Sequence, residues 1–414
     1  MEYTEMGLQL TELQFGQLFQ GVGTMAAMDT TTLIARIFLI FLGMFLVYLG
    51  TIGVLEALIM VPMGLGMATV NAAILFLEGG ALGNIIINPN VYEINALFDL
   101  LQINMLQPIY TFTFSNALIA CFVFMGVGVL SDIGFVLAKP FTFMFVAILA
   151  ELGTIATFPI AVAMGLDFGA AAAVALVGGA DGPMVIFASL ILAKEYFVPI
   201  TIVAYLYLSL CYAVFPYMIK FSIPKRLHGI EMDMSVFPAI KPGQKIACCV
   251  MLCTLLSLLF PSAAPLFLSF FLGMIIREVG VKPYAELLEK TILYSATLFM
   301  GLLLGVLTEA TTILNPTVLI ILILGCIALF LSAVGGIIAG YLMYFITGGK
   351  FNPVIGIAGV SCNPTTAKIA QKVCSSANPK AFVLPYAMGC CISGVITTAV
   401  LTGVYVAIVP LISF

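Results

Sequence analysis

The chain has 414 residues, of which 63% are hydrophobic and 8% charged, with a formal net charge of -4 and one histidine. A soluble domain carries roughly 25% charged residues, so water is not the main solvent of this chain, and no basic stripe suggests nucleic acid. Ten cysteines without a CxxC pair, most of them inside apolar runs, read as small hydrophobes, so no transition-metal or redox centre is expected.

Residues 1–31 contain no basic start and no apolar run before Thr30, unlike a cleaved signal peptide. Leu10 to Met28 is weakly amphipathic and reads as an interfacial segment in contact with membrane lipid, with disorder as the alternative. From Leu33 onward, apolar stretches of about 20 residues recur, the length that crosses a hydrocarbon core as helix. They are too long and too rich in Leu, Ile, Met and Ala for the alternating strands of an outer-membrane barrel. The predicted fold class is therefore all-α and polytopic, with about 10–12 membrane segments. Spans are expected over 33–50, 53–77, 110–131, 141–165, 168–193, 197–221, 245–260, 263–277, 291–313, 316–346, 351–376 and 382–412.

Leu77 to Pro108 turns polar at Glu78-Gly79-Gly80 and Asn88-Pro89-Asn90 and reads as an extramembrane loop. A first membrane half, 32–223, ends at a loop over 224–244, and a second half covers 245–414. Around that loop, Lys220, Lys225, Arg226, Lys241 and Lys245 supply five of the fifteen basic residues, which places it in the cytoplasm. His228 reads as a solvated residue of the loop. Arg277 to Lys290 is a second charged segment with the parity to return to the same side.

The two halves echo one another. Phe124-Met125-Gly126 recurs as Phe299-Met300-Gly301, each followed by an acidic residue (Asp132, Glu309) and a proline (Pro140, Pro316). Gly178-Gly179-Ala180-Asp181-Gly182-Pro183 is answered by Gly359-Val360-Ser361-Cys362-Asn363-Pro364 at a similar offset. Matching Gly/Pro-interrupted apolar segments in two repeats, inverted in many transporters, predict one site built jointly near the bilayer midplane. The plain alternative is a chance match of Gly-rich apolar sequence.

Asp181 is the central candidate. An ionised Asp near a helix centre in lipid costs about 2.5 to 3.5 kcal/mol on insertion scales, so it must face protein, water or a cation. Gly178, Gly179, Gly182 and Pro183 interrupt the helix around it, and freed carbonyls beside a carboxylate are hard oxygen ligands suited to Na+. A simple N-cap of the half-helix starting near Pro183 is the alternative. In the second repeat Pro364 breaks the segment, and Ser361 and Asn363 supply neutral oxygens, Asn363 at the position matched to Asp181. Tyr205-Leu206-Tyr207 brings phenol groups about one helix later, with a proton-exchange or a packing role. Gly394, Thr397 and Thr398 offer close packing and hydroxyls in the last span. Asp132 and Glu309 stand where helices end and read as caps.

These residues resemble a known family, the β subunits of biotin-dependent sodium-pumping decarboxylases, whose members act on oxaloacetate, methylmalonyl-CoA, glutaconyl-CoA or malonate. The resemblance runs from about Leu49 to Gly403. It rests on Phe124-Met125-Gly126-Val127-Gly128 with Asp132, on Gly178 to Pro183, on Thr347-Gly348-Gly349-Lys350 with Asn352-Pro353, and on Ala358-Gly359-Val360-Ser361 continuing into Ala367 to Val373. It implies an elevator-type oligomer in a bacterial or archaeal cytoplasmic membrane that decarboxylates carboxybiotin and exports Na+ with proton uptake. The implied partners are a biotin carrier protein or domain, a carboxyltransferase α subunit and a small single-span γ or δ subunit. Asp181 then resembles the coupling carboxylate and Tyr207 the ion- and proton-exchanging tyrosine. Asp181, Asn363, Ser361 and Thr398 are expected at Na+, and Asp181, Asn363 and Lys368 near carboxybiotin. The chain departs from the family at Gly389-Cys390-Cys391, where many relatives have Gly-Pro-Asn, so Asn363 is expected to compensate for Cys391. A sodium-coupled carrier of organic anions, without decarboxylation, is the second reading.

Overall fold

A computed structural model describes residues 19–76, 82–89 and 94–412. Residues 10–18 of the interfacial segment read over Leu10–Met28 fall outside them, as do Glu78, Gly79, Gly80 and Asn90. The described part of that segment forms a helix, α1 (Gln20–Ala26). Helix α2 (Thr30–Thr51) follows, started by Asp29, whose carboxylate accepts the Thr32 N–H at 2.9 Å and is held below the usual carboxylate range by that bond. Helix α3 (Ala57–Ala72) is shorter than the 53–77 span expected, because Gly53 turns the chain with a φ of 72° and Glu56 occupies the N-cap position. A two-residue antiparallel pair, Leu75–Phe76 with Leu82–Gly83, and α4 (Ile94–Ile103) occupy the stretch read as a loop.

The span expected at 110–131 is two helices, Gln107–Phe114 and α5 (Leu118–Leu130), bent by 67° where Ala117 takes a left-handed φ of 61°. Helices α6 (Pro140–Ala150) and α7 (Leu152–Ala163) abut at Glu151 and together make one span. The 168–193 span divides into α8 (Phe168–Ala175), a 3-10 turn (Leu176–Gly179) and α9 (Gly182–Leu192). Two adjacent glycines, a left-handed Ala180 (φ 52°) and Pro183 at the start of α9 explain the division. Helix α10 (Phe197–Ser222) then crosses.

In the second half, α11 (Pro242–Leu259) and α12 (Ala264–Val279) form a hairpin. The charged segment Arg277 to Lys290 is mostly helical: a single left-handed Gly280 (φ 79°) ends α12, and a helix resumes at Lys282 and becomes α13 (Leu293–Leu307). Helix α14 (Pro316–Ile346) is followed by the second interruption, a 3-10 turn over Pro353–Gly359 and then α15 (Thr365–Ala377). Helix α16 (Leu384–Ile412) closes the described chain. Among the described residues eight helices are long and apolar enough to cross a membrane, nine with the bent pair, against the twelve spans expected. The remainder are the short α3 and the two divided segments. The chain is a multi-pass membrane protein.

The helices sort into two groups. One packs α2, α3 and α13 side by side and sets α5 against α12. Small residues let these backbones touch, which replaces the missing hydrophobic drive between helices in lipid. Gly43 and Gly64 face each other's backbone, Gly305 lies on the Met63 carbonyl, and Gly128 and Gly273 do the same between α5 and α12. The other group wraps α6, α7, α14 and α16 around the two interruptions. Here lies the most deeply buried part of the core, with Ala170 to Leu176 and Val354 to Ala358 fully covered.

The basic loop is more ordered than a solvated segment. His228, read as solvated, is buried: its Nε2 sits 2.8 Å from the Ile223 carbonyl oxygen, and Asn352 Nδ2 donates to the His228 and Ile230 carbonyls at 3.0 and 2.9 Å. Beside the loop, Lys245 bridges Asp132 at 2.8 Å and Glu278 at 3.3 Å, and Arg277 stands 3.6 Å from Asp132. Asp132 is thus both the expected cap, accepting the Gly134 N–H at 2.8 Å, and the centre of an ion-pair network. Glu309 sits at an N-cap position as expected but makes no side-chain cap; it pairs instead with the fully buried Arg36 at 2.5 Å.

Candidate functional site

The two interruptions meet. The Ser361 N–H and Oγ both donate to the Gly179 carbonyl oxygen, at 3.1 and 2.5 Å, so the backbone freed by the first break is captured by the second. Gly394 on α16 makes room, since a side chain there would strike the Gly359 carbonyl and Ser361. Gly178 similarly lets the first break press on the backbone at Gly153 and Thr154, and Gly179 admits Thr398.

Beside this junction is a cavity of about 200 Å³. One wall comes from the first helix group, with Glu56 and Ile59 at the start of α3, Val123 to Leu130 of α5, and Leu293 to Met300 of α13. The opposite wall comes from the second group, with Ala180 to Pro183, Tyr205, Ser361 to Thr365, Lys368 and Val395. The cavity therefore lies on the boundary between the two groups.

Asp181 is 7% exposed and reaches this cavity. Its Oδ1 also accepts the Met184 N–H at 3.4 Å, so capping and cavity lining coexist in one side chain. Asn363 lines the cavity too, donating from Nδ2 to Ser131 Oγ at 2.7 Å, while its buried Oδ1 has no partner among the described residues. Lys368, on the first turn of α15, faces the same space. Thr398 stands one hydroxyl behind, its Oγ1 2.9 Å from Ser361 Oγ. Asp181, Ser361, Asn363 and Lys368 are thus brought together, with Thr398 adjoining. Thr397 does not line the cavity; its hydroxyl is bonded to the Ser393 and Gly394 carbonyls at 3.1 and 2.9 Å and lies 3.4 Å from Glu151 Oε1. Cys391, where many relatives of the resembled family carry Asn, is buried outside the cavity, 3.4 Å from Thr366 Oγ1.

Tyr207 is not part of this constellation. Its hydroxyl donates to the Leu322 carbonyl at 2.6 Å and its ring packs on Gly325 of α14. Tyr205 takes the place expected for it. Two residues on a helix are about 200° apart, so the pair must face opposite sides, and only one can reach the cavity. The Tyr205 ring lies on Gly182, and its hydroxyl, fully buried, has no hydrogen-bond partner among the described residues.

Two acids were passed over in the sequence. Glu56 lines the cavity opposite Asp181. Glu151, 2% exposed, sits at the joint of α6 and α7, where Thr154 Oγ1 donates to its Oε2 at 2.6 Å and Thr398 Oγ1 is hydrogen-bonded to its Oε1. Each lies inside an apolar stretch read as a span, which is the same cost signal that singled out Asp181.

Comparison with known proteins identifies the family. The model of the "Na+-transporting oxaloacetate decarboxylase beta subunit" family matches residues 35–409. The carboxybiotin decarboxylase of Malonomonas rubra is 53% identical over 394 residues, 95% of this chain and 98% of that protein. The probable oxaloacetate decarboxylase beta chain of Vibrio cholerae is 30% identical over 409 residues, 89% of this chain and 94% of its own. The glutaconyl-CoA decarboxylase subunit beta of Acidaminococcus fermentans is 31% identical over 288 residues, covering 69% and 76% of the two chains. With a full-length match and a cavity in which a buried carboxylate meets two broken helices, the chain belongs to the Na+-transporting oxaloacetate decarboxylase beta subunit family.

Proposed function

We propose that the chain is the membrane subunit of a biotin-dependent decarboxylase, which decarboxylates carboxybiotin carried by a partner protein and exports Na+. The observation that carries this reading is Asp181 in a cavity at the junction of two interrupted helices, with Ser361, Asn363 and Lys368 around it. Breaking the N–C bond of carboxybiotin releases CO2 and leaves a nitrogen anion that must take one proton. A carboxylate that holds either H+ or Na+ supplies that proton when the ion arrives, which couples the two flows. Lys368 is suited to draw the carboxylate of carboxybiotin toward Asp181, and the unpartnered Oδ1 of Asn363 is an oxygen free for Na+.

The proton role assigned by resemblance to Tyr207 passes in this proposal to Tyr205. Tyr205 lines the cavity and its hydroxyl has no partner among the described residues, whereas that of Tyr207 is committed to a carbonyl. The two halves, 32–223 and 245–414, are read as inverted repeats joined by a cytoplasmic loop over 224–244, and the boundary cavity as the sliding surface of an elevator. A biotin carrier, a carboxyltransferase α subunit and a single-span γ or δ subunit complete the complex, as an oligomer in a bacterial or archaeal cytoplasmic membrane.

The test is a purified complex in liposomes, scored for carboxybiotin turnover and ²²Na+ movement together. Sodium-dependent turnover that fails to move sodium overturns the coupling. A sodium-coupled organic-anion carrier is the alternative reading, favoured by Lys368 as an anion contact. It is excluded if the chain copurifies with a biotinylated partner and is inactive without it.

A further inference from the structure

Glu56 stands where a helix cap belongs, yet it does not cap. It holds the N-cap position of α3 without a side-chain bond to that helix, and its carboxylate makes no hydrogen bond or ion pair among the described residues. It lines the cavity from the wall of the first helix group, and Lys368 lines it from the wall of the second. The Lys368 ammonium is likewise unbonded among the described residues, whereas Lys372, the other lysine of α15, lies over the Tyr212 ring at 5.8 Å. Glu56 and Lys368 already act on each other across the gap without closing to an ion pair. Both stand on the side of the basic loop. Helix α13 starts beside the charged segment 277–290 and ends near Glu309, which pairs with Arg36 close to the start of α2, so the end of α2 and Glu56 return to the side of that segment. Helix α15 runs from the junction to the basic loop, where Asn378 donates to the Gly229 carbonyl at 3.0 Å, and Lys245 beside that loop bridges Glu278 of the charged segment.

We propose that Glu56 is a positioning residue of the decarboxylation, the anion that takes Lys368 whenever no substrate carboxylate does, so that the two helix groups draw together across the cavity only after CO2 has left. A substrate carboxylate beside Lys368 pairs with the lysine and repels Glu56, because like charges at such range oppose each other. When the N–C bond breaks, CO2 departs and the biotin nitrogen takes its proton. The neutral product leaves Lys368 without its anion. Asp181 cannot serve the same purpose, since it lies on the same wall as Lys368 and a bond between them pulls no walls together. Glu56 lies on the opposite wall, so its pairing converts the loss of a carboxylate into an attraction between the groups.

The inference rests on the reading of Lys368 as the contact for the carboxylate of carboxybiotin, and the experiment separates the two. The complex in liposomes is supplied with free carboxybiotin and scored for CO2 released and ²²Na+ moved. Glu56→Gln removes the competing anion, so the KM for carboxybiotin is expected to fall about fivefold, equivalent to about 1 kcal/mol, and fewer Na+ are moved per CO2 released. Glu56→Asp keeps the charge on a side chain one methylene shorter, and the same change at smaller size is expected, which keeps the inference testable if Glu56→Gln does not fold. In a Lys368→Gln background, Glu56→Gln is expected to leave the KM where the lysine variant set it, because the two act through one pair. A KM unchanged or raised by both Glu56 variants overturns the inference alone, as does an equal fall in the Lys368→Gln background. A KM unaffected by Lys368→Gln overturns the reading of the lysine, and no CO2 from the unmodified complex overturns the decarboxylase reading with it.

Discussion

The two interruptions occupy matching places in the sequence and meet in space, yet they are built from different chemistry. The first carries the charge: Asp181 sits at the start of α9, held only by a long 3.4 Å bond from its own helix, so its carboxylate is available to whatever enters the cavity. The second is neutral and tied down. Ser361 is fixed to Gly179, Thr366 to the Val360 carbonyl at 3.0 Å, and Asn363 to Ser131 at the end of α5. One break supplies an exchangeable charge, and the other a fixed frame of dipoles that also reaches across to the first helix group.

That contrast breaks most visibly at the charge. Asp181→Asn keeps a capping side chain, so the protein is expected to fold, while sodium-dependent decarboxylation by the reconstituted complex falls by at least about 100-fold. Near-normal turnover in this variant would remove the reason for placing the ion there.

Ser361→Ala attacks the frame. It removes the hydroxyl bond between the two breaks, leaving the Ser361 N–H bond to Gly179 and the charge untouched, so the sodium concentration for half-maximal turnover should rise by about 10-fold, with about 1 kcal/mol lost from stability. A change in maximal rate alone, with sodium dependence intact, would argue against the frame.

The tyrosines sharpen the assignment of the proton. Tyr205→Phe should shift the pH profile of turnover. Tyr207→Phe should leave that profile in place and cost only the bond to Leu322, about 1 kcal/mol measured by thermal unfolding in detergent. The reverse outcome returns the role to Tyr207. Asn363→Ala combined with Cys391→Asn asks a smaller question. Because Cys391 lies outside the cavity, asparagine there is not expected to restore what removal of Asn363 loses.

The smallest effect lies in the basic loop. Burial lowers the His228 pKa below its ordinary value of about 6.5, so the folded loop prefers the neutral ring. As pH falls below that ordinary value, the unfolded chain binds the proton first, and the stability that the neutral ring contributes is lost down to the folded value. Proteolysis of the loop is expected to quicken as pH falls below about 6.5, and less so in His228→Gln. Equal acid sensitivity in both would sink this account.

Much of this arrangement was legible in sequence because the relevant costs are local. A carboxylate amid apolar residues, flanked by Gly-Gly and Gly-Pro, announces both a site and a broken helix, and Asp181 is found there. Tyr207 was misplaced because facing depends on helix rotation, and a shift of two residues reverses it. Glu151 and Glu56 carried the same local signal as Asp181, but without a glycine or proline motif around them they were absorbed into ordinary spans. His228 was misread because loop composition does not reveal that Asn352, far along the chain, threads two donors onto that loop.

Helix α3, which presents Glu56 to the cavity, is gripped on both sides by bare backbone, through Gly43 and Gly64 toward α2 and Gly305 toward α13. None of those three glycines touches the cavity, yet their lack of a side chain sets how far its outer wall stands from Asp181. They act as spacers of minimal thickness, and a methyl group on any of them would push against main chain that has no rotamer with which to yield. The bore of the cavity is thus gauged at a distance, by atoms that are missing.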